Sequence, residues 1–333
     1  MPEWIEMSAP ARIDLAGGTL DLWPLHVLHP GSVTINLAIG LRARCRVRAG
    51  DNGFRVTVPD LGYERSVSRP ADLLADPRAA LAGALLEALE ISRPRQIELF
   101  SDVPYGSGLG GSSALTVAMA AALSASVEQP FAGPGRVELV RDVETRVLGK
   151  PAGVQDYYPA LSGGLHILSF EPGRVSVERR DVDKGAWLRH VTLFDTGAAH
   201  ASGMNNWEIF RARLEGERPV TDALEEVRGA AGEMAAAVEE DDFAAMGRAL
   251  HAEWQARRRL APVVSSPGIE RAIEAATAAG AWGGKACGAG GGGCVVILSP
   301  PERTDRVRAA LARLPEGRLM SIEVENRGLM IED

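Results

Sequence analysis

The chain has 333 residues, with 44 acidic against 36 basic side chains and a formal charge of −8, a balance that argues against nonspecific nucleic-acid binding, which needs a basic surface. The most apolar runs, 114–125 and 291–298, are too short for a bilayer span, and the start MPEWIEMSAP lacks the pattern of a signal peptide. A soluble enzyme without a membrane partner is expected, cytoplasmic by default, and long enough for two domains with a cleft between them.

In chain order, APARIDLAGGTLDL at 9–22 sets Arg12 within an apolar, strand-like stretch. Residues 32–48 and 53–58 alternate apolar and polar positions as half-buried strands do, and 72–91 carries a longer Ala/Leu-rich helical pattern. IELFS at 97–101 reads as a strand feeding PYGSGLGGSSALTVA at 104–118, a glycine- and serine-rich loop that runs into a helix over 112–127. Such a loop suits phosphate. Glycine lets backbone N–H groups approach an anion closely, and the helix start adds unpaired donors and the positive end of its dipole. The candidates there are Pro104, Gly106, Ser107, Gly108, Leu109, Gly110, Gly111, Ser112 and Ser113. The loop has neither the Gly-Lys-Ser/Thr ending of a Walker loop nor the GxGxxG spacing. Alone, it is also compatible with an ordinary turn and helix cap.

Further on, 135–148 reads as a helix, 164–170 and 190–195 as strands, and 222–238, 241–260 and 268–279 as helices. The run Arg257-Arg258-Arg259 is locally basic, and a solvated helix face stands against a substrate-phosphate site as its reading. The glycines of 288–293 run at once into CVVIL, a buried-strand pattern, which makes them a tight connection within a domain rather than a linker. Cys45, Cys287 and Cys294 are odd in number and form no CxxC pair, so buried apolar roles are expected rather than a disulfide framework or a zinc site.

Together, the segments at 9–22, 104–118 and 283–298 resemble, in this order, those of the GHMP kinase superfamily (galactokinase, homoserine kinase, mevalonate kinase and phosphomevalonate kinase), over almost the whole chain. Arg12-Ile13-Asp14-Leu15-Ala16-Gly17-Gly18 with Asp21, GVQDYYPALSGGLHIL at 153–168 and residues 250–285 are most similar to the D-glycero-D-manno-heptose 7-phosphate kinase, fucokinase and galactokinase group. The resemblance implies an α+β fold: an N-terminal domain like ribosomal protein S5 domain 2 over 1–175, with the nucleotide loop at 104–114. A C-terminal α+β domain over 176–333 would carry the glycine segment 283–294, and the active site would lie in the cleft between the two.

It also implies roles. Asp156, in Gly153-Val154-Gln155-Asp156, is similar to the galactokinase aspartate that faces the phosphorylated hydroxyl, with a turn-capping Asp as the alternative. Arg12 is its expected partner, holding Asp156 ionised and stabilising phosphoryl oxygens, with a surface salt bridge as the alternative. Ser112 and Glu144 are the expected Mg2+ ligands, ATP being the phosphoryl donor. Because Gly111 stands where many relatives have the first serine of a pair, the register of Ser112 against Ser113 is open, and Glu144 could instead be a solvated helix residue. Gly18, Thr19, Asp21 and Asp156 would line the acceptor site, with Gly290 and Gly291 beside them. Gly18-Thr19-Leu20-Asp21 lacks the Glu-His that precedes Thr-Asp in galactokinases, which counts against galactose and leaves room for a bulkier sugar. Residues 197–213 would form a mobile wall supplying His200, Asn205 or Arg211. The expected activity is transfer of the ATP γ-phosphoryl group to a hydroxyl, the anomeric one, of a sugar or sugar phosphate such as a heptose 7-phosphate. Alternatives are a kinase for a cyclitol or a mevalonate-like acid, and a regulator that binds nucleotide and sugar without catalysis; a homodimer is open.

Overall fold

The computed structural model describes residues 3–198 and 202–332. The strands are β1 (Ile5–Ala16), β2 (Val33–Ala49), β3 (Phe54–Val58), β4 (Tyr63–Val67), β5 (Arg95–Ser101), β6 (Leu165–Glu171) and β7 (Arg174–Arg180), followed by β8 (Val191–Asp195), β9 (Gly283–Ala286), β10 (Cys294–Leu298), β11 (Arg318–Met320) and β12 (Met330–Glu332). The helices are α1 (Leu25–Leu28), α2 (Ala80–Ala88), α3 (Gly111–Ala125), α4 (Arg136–Leu148), α5 (Tyr157–Ser162), α6 (Lys184–His190), α7 (Ser202–Leu214), α8 (Arg218–Glu239), α9 (Phe243–Arg257), α10 (Pro267–Ala278) and α11 (Pro301–Leu311). Among the described residues no helix is long and apolar enough to cross a membrane.

Two sheets organise these elements. The larger runs β12-β1-β2-β5-β3-β4, with β6 also pairing with β2 and β7 with β6; the smaller runs β11-β8-β10-β9. In β2 the expected alternation holds only over the second half. From Thr34 to Ile39 every residue is buried. Over the second half, α3, nearly all of it buried, packs on one face of the sheet through Ala43, Cys45 and Val47, its alanines letting it approach closely. Over the first half, Ile35 and Leu37 share a core with Ala11, Ile13 and Leu15 of β1, Ala231 and Met234 of α8, and Met246 and Leu250 of α9. The start of α9 is fixed by Asp242, whose carboxylate accepts from the Ala245 N–H at 2.9 Å.

Three expectations change. The helix read over 72–91 is a short 3-10 turn, Pro70–Leu73, and then α2; Pro77 lies between them and cannot continue a helix interior. Residues 176–180, expected in the second domain, belong to the first sheet, because β7 follows β6 through a turn at Pro172-Gly173 and pairs straight back along it. So does β12, whose Met330–Glu332 pairs with Glu6–Ser8. The last strand of the chain thus covers the edge of the first.

Candidate active site

The loop between β5 and α3 carries Pro104 to Gly110, and Gly106, Gly108 and Gly110 all have left-handed φ, +69°, +75° and +72°. The alternation of ordinary and left-handed residues turns successive N–H groups toward one side, the geometry of an anion-binding nest, and it ends on the N-terminus of α3. At Gly108 a side chain is excluded twice over, since a Cβ there would stand 2.3 Å from the Cys287 carbonyl oxygen. The glycine segment after β9 lies against this loop, as expected: Cys294 N–H donates to the Ser107 carbonyl at 2.8 Å. Gly290 packs against the Val264 carbonyl, and the Gly291 N–H donates to that same oxygen at 2.5 Å, so these two glycines meet the segment before α10.

Arg12, on β1, reaches the phosphate loop from below. Its backbone N–H donates to the Leu109 carbonyl at 3.0 Å, one guanidinium nitrogen donates to the Gly108 carbonyl at 2.6 Å, and Nε and Nη2 both bind Asp156 Oδ1, at 2.8 and 2.6 Å. Burial opposes the Arg12 cation, but the Asp156 and Asp14 carboxylates outweigh it and hold its pKa above the ordinary range. This pair is no surface salt bridge, since Arg12 is 4% exposed. Asp156 sits at the N-terminus of α5 without making a side-chain cap bond, which removes the turn-capping alternative. Its carboxylate lies 3.3 Å from where a Cβ on Gly110 would be, so the Arg12–Asp156 pair touches the loop backbone.

Asp21 approaches the same point from the other side. Its Oδ2 accepts the Gln155 N–H at 3.1 Å, and it packs on Gly153, where a Cβ would fall 2.0 Å from that oxygen. The side chain is buried, and burial pushes its pKa up to about 6, the Gln155 bond pulling it back only in part while the Asp156 and Asp14 charges add to the rise. Gly18 lies beside Asp14 and Gln155. Thr19 has φ +76°, and its hydroxyl donates to Asn206 Oδ1 at 3.0 Å, joining the Gly17–Asp21 loop to α7.

Glu144, on α4, is buried rather than solvated. Both carboxylate oxygens are saturated by hydroxyls: Oε1 accepts from Ser112 (2.9 Å) and Thr116 (3.2 Å), Oε2 from Ser113 (2.8 Å) and Tyr157 (2.5 Å). Burial raises the Glu144 pKa against the pull of these donors, and among the described residues no cation is bonded to it. The arrangement fits Mg2+. Ser112 is exposed while Ser113 is buried, so Ser112 and the Glu144 Oε1 it bonds at 2.9 Å are the two hard oxygens that would hold the ion. One carboxylate plus phosphate oxygens and water is a usual Mg2+ set. This geometry favours Ser112 over Ser113 on the metal side.

Sequence reasoning missed a second set of residues. Arg257 is buried at the end of α9, bound to Glu253, Thr19 and the Gly18 carbonyl, and Lys285 on β9 is buried between Asp14 and Glu253. Arg258 and Arg259, by contrast, are half-exposed and pair with Glu270 and Glu226. The basic run is thus a solvated face at two positions and a buried one at the third. The signal was present in the i, i+4 spacing of Glu253 and Arg257 around the buried Trp254, which sets them on the inner side of the helix. Of the proposed wall, His200 and the Asn205 side chain lie outside the described residues; Arg211 is exposed, 3.6 Å from Glu215.

Models of two halves of one enzyme family match the chain, "GHMP kinases N terminal domain" over 78–164 and "GHMP kinases C terminal" over 234–316. The D-glycero-alpha-D-manno-heptose 7-phosphate kinase of Campylobacter jejuni is 27% identical over 93% of both chains, and the mevalonate kinase of Aeropyrum pernix is 30% identical over 90% of both. The crystal structure of a D-glycero-D-manno-heptose 1-phosphate kinase from Bacteriodes thetaiotaomicron superimposes with a TM-score of 0.76 at 22% identity, covering 99% of each chain. GHMP kinases use ATP, generally with Mg2+. With this fold and both family halves in place, the chain belongs to the GHMP kinases and is a phosphotransferase that acts on a hydroxyl group.

Proposed function

We propose that this kinase transfers the γ-phosphoryl group of ATP, with Mg2+, to a hydroxyl of a sugar or sugar phosphate, the anomeric hydroxyl of a heptose 7-phosphate being the specific acceptor suggested by the relative from Campylobacter jejuni. One observation carries the reading: the Arg12–Asp156 pair lies against the phosphate loop, and Asp21 packs on Gly153 and accepts the N–H of Gln155, the residues three and one before Asp156.

The steps follow from that arrangement. N–H groups of 106–113 hold the phosphate chain. Mg2+, held by Ser112 and Glu144, would neutralise phosphate charge. Asp21 accepts hydrogen bonds from acceptor hydroxyls, which a carboxylate does through two oxygens. Asp156 orients the attacking hydroxyl and takes its proton as the oxygen bonds to phosphorus, and Arg12 keeps Asp156 ionised and faces the transferring phosphoryl oxygens.

A carboxylate acceptor of the mevalonate type, as the name of the Aeropyrum relative suggests, needs a cation to receive it. The guanidinium next to the acceptor loop, Arg257, is already bound to Glu253, Gly18 and Thr19, whereas Asp21 presents an acceptor for hydroxyls. That contrast supports the sugar. The test is ADP release with Mg-ATP against free sugars, sugar phosphates, cyclitols and mevalonate: turnover with a sugar or sugar phosphate is expected, and turnover with mevalonate alone would overturn the sugar assignment.

A further inference from the structure

The acceptor loop, Gly17 to Asp21, has two turn bonds of its own, Leu20 N–H to the Gly17 carbonyl and Leu22 N–H to the Thr19 carbonyl, both at 3.2 Å, and its other polar contacts reach distant parts of the chain. Thr19 is a non-glycine residue with φ +76°, a conformation that costs on the order of 1–2 kcal/mol, and so it needs outside support. That support comes from three charged side chains of α9 and β9, far along the chain and almost wholly shut off from water. Arg257 Nη2 donates to the Gly18 carbonyl at 2.6 Å, and Nη1 donates to the Thr19 hydroxyl at 3.1 Å. Glu253 Oε1 accepts the Gly17 N–H at 3.3 Å and holds Arg257 through both Nε and Nη2, at 2.9 and 2.6 Å. Lys285 links Glu253 (3.2 Å) to Asp14 (3.0 Å), and Asp14 in turn lies against the Cα of Gly18.

We infer that Arg257, Glu253 and Lys285 are positioning residues for the acceptor: they clamp Gly17, Gly18 and Thr19 so that Asp21 is aimed at the substrate hydroxyls, and Arg257 does this without touching substrate. The inference rests on the reading of Asp21 as an acceptor-binding residue. Its physical basis is the fork geometry of Arg257, which satisfies one carbonyl and one hydroxyl of the loop while its Nε and Nη2 stay paired with Glu253 Oε1. A lysine keeps the charge opposite Glu253 but has one nitrogen and cannot make both loop contacts. Buried pairs such as this are poor sources of net stability, because desolvation cancels much of the attraction. Positioning is a better account of four charges at this place than stability is. The alternation Arg257, Glu253, Lys285, Asp14 leaves no two like charges in direct contact.

Two readouts test it. In Arg257→Lys, the KM for whichever acceptor the wild-type enzyme uses should rise at least tenfold, with the KM for ATP within about twofold of wild type. Amide hydrogen exchange of the peptide across residues 15–25 should quicken, while that across 104–116 stays as in wild type. Should Arg257→Lys fold poorly, the double variant Glu253→Gln with Arg257→Met removes both charges of the pair, leaves Lys285 with Asp14, and should give the same pattern. A folded variant with unchanged acceptor KM and unchanged exchange at 15–25 overturns the inference, as does an equal rise in both KM values. The exchange readout needs no acceptor, so a wild-type enzyme that turns over no sugar counts against the sugar reading alone, and faster exchange at 15–25 still supports the clamp.

Discussion

Asp21 loses its water on folding and recovers one backbone hydrogen bond, from Gln155. Its carboxyl is therefore pushed up to about 6, first by burial and then by the nearby Asp156 and Asp14. Because the folded value lies above the unfolded one, the native state holds this proton more tightly, so stability falls as pH rises from about 4 to about 6 and the cost is constant above that. A rise of this size corresponds to on the order of 3 kcal/mol. Asp21→Asn should accordingly raise Tm at pH 7.5, with the gain vanishing near pH 4, when melting curves are recorded across that range. The wild-type KM for the acceptor should rise as pH drops through about 6, since the protonated carboxyl loses acceptor capacity, and the Asn variant should show a high KM that is flat with pH. An Asn variant with wild-type KM would remove Asp21 from the acceptor site. Arg12, Asp156, Ser112 and Asp21 could be named from the sequence because each sits in a short motif, and Glu144 because its spacing to Asp156 is similar to that in galactokinases. Lys285 and Arg257 were not legible in the same way. Arg257 meets Thr19 across 238 residues of chain, and the run of three arginines by itself does not say which one the helix turns inward; only the i, i+4 spacing to Glu253 beside Trp254 does.

Among the elements, long apolar patterns survived the passage to structure best: α3, α4, α8, α9 and α10 lie within a few residues of their expected bounds. Failures fell where one local signal competed with another, as at Pro77, or where pairing alone defines the element, as in β7, β9 and β12. The phosphate loop shows how an element can depend on a distant neighbour. Gly108 and Gly149 both have left-handed φ, +75° and +63°, yet a Cβ at Gly149 meets open space whereas one at Gly108 meets the Cys287 carbonyl. Gly149→Ala should cost about 1 kcal/mol and leave turnover intact. Gly108→Ala adds a clash with backbone and should cost at least about 3 kcal/mol, together with loss of nucleotide affinity by isothermal titration. Equal effects of the two substitutions would mean that contact between the two glycine loops is unimportant.

Across the whole molecule, the site exists only because two sheets meet. β1 supplies Arg12 and Asp14 to the larger sheet, β9 of the smaller one supplies Lys285, and the glycine loop after β9 braces the loop that leads into α3. Three cores, one against each half of β1 and β2 and one under α10, hold these parts in register. The sequence could indicate two domains from length and family resemblance, but not that the final strand returns to β1, because three residues at 330–332 carry no pattern of their own. The meeting point of these elements is the proposed phosphoryl-transfer site, with Asp156 at the acceptor hydroxyl. Asp156→Asn tests it most directly, since the amide keeps the shape and an oxygen for Arg12 but cannot take a proton. Turnover of the best acceptor should fall at least about 100-fold while the Kd for ATP, measured on the same preparation, stays within about threefold of wild type. Turnover within about threefold of wild type would contradict the account.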